Sequence, residues 1–348
     1  MNKKIYNLQA LRGIAILLVL FYHIIPIEGK YNSSFIVVSD IFKIGKIGVD
    51  IFFVISGFIM AIVTKNYFKD KNKFFKFIYL RFIRIYPLYW FYTILLLPIL
   101  FLKPEWINSS QNGHVDLISS IFLFPSETLP LIMVGWSLIH EIYFYIVFSG
   151  LILLINRSKL LLYTLFWLAI IIISNNIIDT NSPLINLIIN PLTVEFILGV
   201  LIGIYFSKYK YKIKFPKILL FLLFIYLLLI PSIYELEKIH DWSRILIYGV
   251  ASFFIVFLSI EIERQGTIFN KYLIIIGNAS YSIYLSHLLT LNVIAKIFNI
   301  FLVESYFYEL LMVFTMISIS LIWGLISYKY IEIPIINYTK KIIKGKQC

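Results

Sequence analysis

Arg12 and His23 stand eleven residues apart in the first apolar run of the chain. At 100° per residue, eleven residues of α-helix return to within about 20° of the same face and advance about 16 Å along the axis. Ionisable residues inside a membrane helix are costly and are therefore candidates for function. We expect both side chains to face one cavity, with Arg12 near the cytoplasm and His23 deeper. The alternative is that Arg12 extends to the interface and His23 caps the outer end of the helix.

Glu141 is another ionisable residue that falls where a membrane helix is expected. It follows Ser137 by four residues in the run Trp-Ser-Leu-Ile-His-Glu-Ile-Tyr-Phe-Tyr, so the two side chains share a helix face. Because a buried carboxylate without a partner is expensive, Glu141 needs a compensating group. We expect Arg12 or His23 to be that group.

Arg81 and Arg84 stand three residues apart, just before Pro87, at the predicted cytoplasmic end of the third apolar run. Arginines at this spacing share a helix face and can form a two-forked clamp for phosphate. We therefore expect them to bind the phosphates of an anionic nucleotide cofactor that arrives from the cytoplasm. The alternative is that they only anchor the helix end on the inner side of the membrane.

Further polar side chains interrupt the apolar runs and are candidates for lining a substrate cavity. These candidates are Asp50, Trp136, Ser137, Ser280, Tyr284 and His287. Ser280, Tyr284 and His287 follow one another at helical spacing, and a polar stripe in a membrane helix lines a cavity or bonds a neighbouring helix. Asp50 stands at the start of its run, where it lines a cavity or caps the helix at the interface.

Membrane helices must position these side chains, as the composition indicates. The 348 residues are 60% hydrophobic and 14% charged, whereas soluble chains are about 45–50% apolar and about 25% charged. This excludes an ordinary soluble enzyme, a disordered chain and a nucleic-acid binder. The ten runs that are candidates to cross a bilayer are about 8–26, 47–63, 77–101, 133–155, 160–175, 187–206, 218–233, 244–260, 273–294 and 306–328. The sequence predicts an all-α polytopic membrane protein with about ten transmembrane helices and a short interfacial helix within 102–132.

The positive charges predict the orientation of these helices. With the N-terminus in the cytoplasm, the inner segments hold 23 of the 31 Lys and Arg residues, and the outer segments hold 7. Because Lys and Arg concentrate on the cytoplasmic side of membrane proteins, both termini are expected there. Most of the net charge of +13 is then a topology signal and an attraction to anionic lipid.

The remaining features predict one domain over residues 1–348. The first apolar run contains Arg12 and lacks a small-residue cleavage site, so we expect a retained helix rather than a signal peptide. Cys348 is the only cysteine, which excludes an intrachain disulfide and a thiolate metal cluster. We expect no metal.

Six motifs occur in order along the chain. They are Arg-x10-His in the first run, Gly-Val-Asp-Ile-Phe-Phe-Val-Ile-Ser-Gly-Phe, Arg-x-x-Arg-x-x-Pro, Trp-Ser-Leu-x-x-Glu-x-x-Phe-Tyr, Ser-Tyr-Ser-Ile-Tyr-Leu-x-His and the closing Tyr-x-Glu-x-Pro. Together they resemble the acyltransferase family 3 membrane proteins over residues 7–335. The resemblance leaves 336–348 as a basic cytoplasmic tail and predicts no fused extracytoplasmic hydrolase-like domain.

The resemblance implies an enzyme of the cytoplasmic (inner) membrane that transfers an acyl group, usually acetyl from acetyl-CoA, to a sugar hydroxyl. Expected acceptors are glycans or lipid-linked sugars of O-antigen, capsule, exopolysaccharide or a similar envelope polymer, with membrane lipids as surroundings and no nucleic acid. Arg81 and Arg84 are then expected to bind the CoA phosphates.

His23 is the first choice for the general base, with Glu141 orienting or charge-balancing it and Arg12 completing the catalytic group. Direct transfer and a transient acyl-histidine both stay open. His287 is the second candidate for the base, or else it lines the acceptor path. The rival reading is a proton-coupled transporter or flippase of a glycolipid or small molecule, because buried Arg, His and Glu also serve such carriers.

Overall fold

The computed structural model describes residues 5–31, 37–107, 114–209, 214–233, 241–301 and 305–345. No strand occurs in these residues, which confirms the all-α class. The helices are α1 (Tyr6–Tyr31), α2 (Ile47–Val63), α3 (Lys71–Leu102), α4 (Leu117–Phe122), α5 (Gly135–Leu154), α6 (Leu160–Ile177), α7 (Pro183–Ile188), α8 (Thr193–Lys208), α9 (Pro216–Ile233), α10 (Asp241–Arg244), α11 (Val250–Arg264), α12 (Lys271–Asn278), α13 (Ser280–Asn299), α14 (Tyr306–Ser327) and α15 (Ile333–Gly345). Two π-helical turns, Ile245–Gly249 and Tyr328–Glu332, precede α11 and α15.

Nine helical segments are long and apolar enough to cross a membrane, counted over the residues that the structure describes. A shorter apolar helix, Pro216–Leu227, lies where the seventh of the ten predicted spans was placed. The segment 102–132 contains a short helix, α4, whose interfacial position stays a prediction. These segments confirm a polytopic membrane protein, whereas the cytoplasmic position of the termini stays a prediction. Residues 346–348 of the expected tail lie outside the described residues.

The predicted span 273–294 is two helices, α12 and α13, which meet at Ala279. The break follows Gly277, which touches the backbone of α1 so closely that an added Cβ would overlap the carbonyl oxygen of Gln9. Gly13 makes the reciprocal approach, because a Cβ there would overlap the carbonyl oxygen of Leu273. Small residues allow this close helix packing in membrane proteins. Here the two glycines bring the backbones of α1 and α12 into direct contact.

The chain divides into two compact units, and the single-domain expectation stays a prediction. Unit 1 consists of 1–55 and 210–330. In it, α1 packs against α11, α12 and α13, and α13 packs against α14. The buried residues Leu20, Ile24, Leu291, Met312 and Met316 belong to one apolar cluster of α1, α13 and α14. This packing holds the C-terminal half of α1 beside the middle of α13.

Unit 2 consists of 56–209 and 331–348, so α2 begins in one unit and ends in the other. Phe144 of α5 stacks on Phe196 of α8, with ring centroids 4.5 Å apart, and on Trp167 of α6 at 5.9 Å. Gly57 in α2 lies directly against α8, because a Cβ would overlap the carbonyl oxygen of Phe196. Gly57 therefore packs closely against α8, and aromatic stacking fixes α5 within unit 2.

Candidate functional site

Two histidines from distant parts of the sequence meet in unit 1. Nε2 of His287, on α13, lies 3.2 Å from Nδ1 of His23, on α1, and the ring centroids are 5.0 Å apart. His287 is fully buried and His23 is half-buried. The two candidates for the general base therefore form one pair.

Backbone carbonyls decide which nitrogen of each ring carries a proton. Nδ1 of His287 lies 2.7 Å from the carbonyl oxygen of Tyr284 and 3.2 Å from that of Ile283, so this nitrogen must donate. In the neutral ring, Nε2 of His287 is then an acceptor. Nδ1 of His23 faces this acceptor and the carbonyl oxygen of Val19 at 2.9 Å, so it too must donate. The uncharged pair leaves the lone pair of His23 on Nε2.

The polar stripe predicted on α13 is buried with His287. Ser280 is almost fully buried, and its Oγ has no hydrogen-bond partner among the described residues. The ring of Tyr284 lies 5.8 Å from the His287 ring and 6.3 Å from the ring of Phe52. Ser280, Tyr284 and His287 thus lie together on the buried side of α13. That they line a substrate path stays a prediction.

Asp50 pairs with a residue that the sequence analysis did not single out. Arg244 is only 7% exposed and faces Asp50, which is fully buried. Its Nε donates to Oδ1 of Asp50 and its Nη2 to Oδ2, each at 2.9 Å. Asp50 is therefore one half of a buried bidentate ion pair in unit 1. The sequence did contain a sign of this pairing. Arg244 is the first residue of the eighth apolar run, 244–260, and Asp50 lies in the first turn of the second run, so each charge stands at the end of a membrane helix.

Glu141 is held by hydroxyl groups within unit 2. Its Oε1 accepts hydrogen bonds from Ser56, at 3.0 Å, and from Tyr145 one turn later on α5. No ion pair of Glu141 occurs among the described residues of unit 2. The expected partners Arg12 and His23 belong to unit 1, so that pairing stays a prediction. Ser56 and Tyr145 were not singled out from the sequence.

Arg81 and Arg84 occupy different surroundings on α3. The guanidinium group of Arg81 lies over the rings of Phe77 and Tyr145, 5.8 Å and 5.6 Å from their centroids. Its Nε is buried and has no hydrogen-bond partner in the described part of the chain. Arg84 contacts Glu332 of the closing Tyr-x-Glu-x-Pro motif, with Nη1 3.7 Å from Oε1. Tyr145 therefore contacts both charged groups: its hydroxyl donates to the Glu141 carboxylate and its ring faces the Arg81 guanidinium.

The structure places the remaining candidates as follows. Arg12 is half-buried on α1, which runs without interruption through His23, so the predicted helical spacing is present. Ser137 is buried and donates to the carbonyl oxygen of Val134 at 3.1 Å. Trp136 is half-buried and packs edge-on against His140, with centroids 5.9 Å apart. The Ser137 hydroxyl thus bonds to the backbone at the start of α5, and Trp136 lines a cavity of unit 2.

Comparisons with known proteins indicate the family of this chain. A family model described as an acyltransferase domain matches residues 5–329. "Exopolysaccharide production protein ExoZ" of Rhizobium meliloti (strain 1021) is 27% identical over 268 residues, which cover 73% of this chain and 79% of that protein. "Putative O-acetyltransferase SACOL0978" of Staphylococcus aureus (strain COL) is 26% identical over 365 residues, which cover 94% of this chain and 56% of that protein. This chain spans about half the length of the staphylococcal protein. No solved structure matches.

Proposed function

We propose that this chain, which belongs to acyltransferase family 3 and is a membrane O-acyltransferase, transfers acetyl from acetyl-CoA to a hydroxyl of a cell-envelope glycan. The acceptor class is supported by the name of the Rhizobium relative, which refers to exopolysaccharide production. A free glycan and a lipid-linked sugar are both compatible with a multi-pass protein of the cytoplasmic membrane. The single observation that carries the chemistry is the His23–His287 pair.

His23 acts as the general base through Nε2, the nitrogen that keeps its lone pair in the uncharged pair. The acceptor hydroxyl gives its proton to this nitrogen while its oxygen attacks the thioester carbonyl carbon. The new carbon–oxygen bond forms, the carbon–sulfur bond breaks, and the proton held by His23 passes to the departing CoA thiolate. The products are the O-acetyl sugar and free CoA.

His287 positions His23 and is not itself the base. Its Nε2 accepts the Nδ1–H of His23, which fixes the imidazole ring and its tautomer. When His23 takes up the substrate proton, its positive charge strengthens this hydrogen bond, because charge-assisted bonds are about twice as strong as neutral ones. The stabilisation is therefore greater in the transition state than in the resting enzyme, which is the condition for catalysis.

Arg81 and Arg84 supply the cations for the CoA phosphates in this proposal. The buried Nε of Arg81 offers an N–H that no described group accepts, and a phosphate oxygen would satisfy it. Glu332 lies beside Arg84, with its Oε1 3.7 Å from Nη1 of the arginine. Glu141 accepts the hydroxyl hydrogen of Tyr145, whose ring faces Arg81, and so helps to balance the charge of that arginine.

The test follows the acetyl group in the purified full chain, reconstituted in lipid nanodiscs. Acetyl-CoA labelled in the acetyl group is mixed with envelope glycan extracted from the producing cell. We expect label on the glycan that mild alkali removes, as for an O-acetyl ester, and no such label with His23→Gln. His114→Gln, at an exposed loop histidine, is the matched control and should retain activity. Uptake of intact acetyl-CoA or glycan by proteoliposomes, without ester formation, would instead support a carrier.

A further inference from the structure

A cavity of about 720 Å³ lies in unit 2 at the N-terminal end of α5. Its wall is built from three stretches: the loop 125–130, the first turns of α5, and the segment 181–190, which includes α7. Small-molecule sites in proteins commonly have volumes of about 300–1,000 Å³, so this cavity is large enough for a ligand of more than one sugar ring.

Side chains of α3 fix the end of α4, from which the loop 125–130 starts. Three of them donate hydrogen bonds to the last carbonyls of α4, just before the loop: Tyr89 to Ser120 at 2.7 Å, Trp90 to Ile121 at 2.9 Å and Tyr86 to Phe122 at 2.8 Å. Pro125 and Pro130 restrict the backbone at both ends of the loop. The wall is therefore preformed, which lowers the cost of ordering it around a ligand.

The lining has the chemistry of a site for a neutral polyhydroxylated molecule. Asn181, Asn186 and Asn190 each provide an amide with donors and an acceptor, the combination that complements hydroxyl groups. Oδ1 of Asn190 accepts the backbone N–H of Leu192 at 2.9 Å, so its NH₂ group is the part that can donate to a ligand. The lining residues that the structure describes include the carboxylate of Glu127 but no Lys or Arg, which disfavours phosphate and hence CoA.

An aromatic ring completes the lining. Trp136 and His140 are one turn apart on α5, with their rings nearly perpendicular at 83°. The flat face of an indole ring packs well against the apolar face of a sugar ring. Polar groups around the indole can then form hydrogen bonds with the sugar hydroxyls. His140 directly precedes Glu141, so the helix that carries the carboxylate also carries this part of the cavity wall.

We propose that this cavity binds a neutral glycan segment of the acceptor, with Trp136 as the stacking surface and Asn181 and Asn190 as hydroxyl-binding groups. The inference rests on the proposed function, since it names the part of the chain that selects the acceptor. It predicts that recognition of the glycan is separable from the chemistry at His23.

The binding test uses a cysteine as a reporter of occupancy. Cys348, the only native cysteine, is replaced by serine, and Asn186→Cys is introduced at the exposed rim of the cavity in the full-length chain. The rate of its reaction with N-ethylmaleimide is measured with cellotetraose, galactotetraose or chitotetraose. Adenosine 3′,5′-bisphosphate, a thiol-free fragment of CoA, is the anionic comparison. Asn176→Cys, at an exposed asparagine of α6 outside the cavity, is the matched control.

We expect at least one neutral oligosaccharide to slow labelling of the cysteine at 186 severalfold and to leave the one at 176 unchanged. In the transfer assay, Asn190→Ala should raise the KM for the glycan about two- to tenfold, the effect of losing one neutral hydrogen bond, with acetyl-CoA binding unchanged. Protection by the bisphosphate, or protection by none of the oligosaccharides, would overturn the proposal.

The His23→Gln variant separates this inference from the proposed function. It should keep oligosaccharide protection at 186 while it fails to transfer acetyl. If the Asn186→Cys reporter with His23 intact is protected by oligosaccharide but wild-type protein forms no acetyl ester with any glycan, the proposed function fails and the cavity assignment stands. If wild-type protein acetylates glycan while the Asn186→Cys reporter shows no protection, the cavity assignment fails and the proposed function stands.

Discussion

The buried Asp50–Arg244 pair provides a quantitative prediction for unit 1. Asp50 is fully buried and the arginine side chain is 9% exposed, so neither charge is well solvated. Asp50→Asn retains the size of the side chain but leaves the Arg244 cation buried without its counterion. Removing one partner of a buried ion pair typically costs about 3–5 kcal/mol. We expect Asp50→Asn to lower the free energy of unfolding by that amount.

The assay is reversible unfolding of the purified chain by SDS in mixed micelles, followed by circular dichroism. Asp50→Asn, Arg244→Gln and the double variant form a mutant cycle. Because the two groups contact each other directly, the double variant should lose less than the sum of the single losses, by about 0.5–3 kcal/mol.

Asp40→Asn is the matched control for this cycle. Asp40 pairs with Lys43 at 3.3 Å, but its side chain is 77% exposed. An exposed pair contributes about 0–1 kcal/mol, so this variant should change stability little. The argument from burial is wrong if Asp50→Asn destabilises no more than Asp40→Asn, or if the single losses simply add.

Three further predictions concern other parts of the structure. Arg84→Ala should raise the apparent acetyl-CoA dissociation constant roughly ten- to a hundredfold, the cost of one charge-assisted contact; calorimetry checks this, and Lys76→Ala on the same helix should change it little. Glu141→Gln should strongly reduce acetyl transfer while folded protein stays in the membrane, and near wild-type turnover would make Glu141 a packing group only. Gly277→Ala should lower thermal stability because its Cβ overlaps the α1 backbone, whereas Gly150→Ala meets nothing within 4 Å and should not.

The length of the apolar runs was sufficient to predict most of the helices that carry the site. Apolar runs of bilayer length placed α1, α2 and α3, because a membrane helix must satisfy its backbone internally and cover it with apolar side chains. The same reasoning placed Arg12 and His23 on one uninterrupted helix, as the structure has them. It missed the break at Ala279, since an apolar run contains no signal for where another helix must approach closely.

The pairing of side chains was not predictable from spacing along the chain. His23 and His287 are 264 residues apart, and the sequence offered them as competing candidates for one role. The buried partner of Asp50 is 194 residues away, and the sequence analysis did not name it. These contacts depend on how the helices pack, which helical periodicity does not encode. Single buried charges still indicated that partners had to exist.

The assignment of the proton-accepting atom is tested most directly by acetyl-transfer kinetics of three histidine variants in the same preparation. We expect His23→Gln to lower kcat by about 10²–10⁴-fold, the usual cost of losing a general base, with acetyl-CoA binding unchanged. His287→Gln, whose amide oxygen can still accept the Nδ1–H of His23, should keep more activity than His287→Leu, which cannot. An active His23→Gln enzyme together with an inactive His287→Gln enzyme would place the base on α13 and contradict this account.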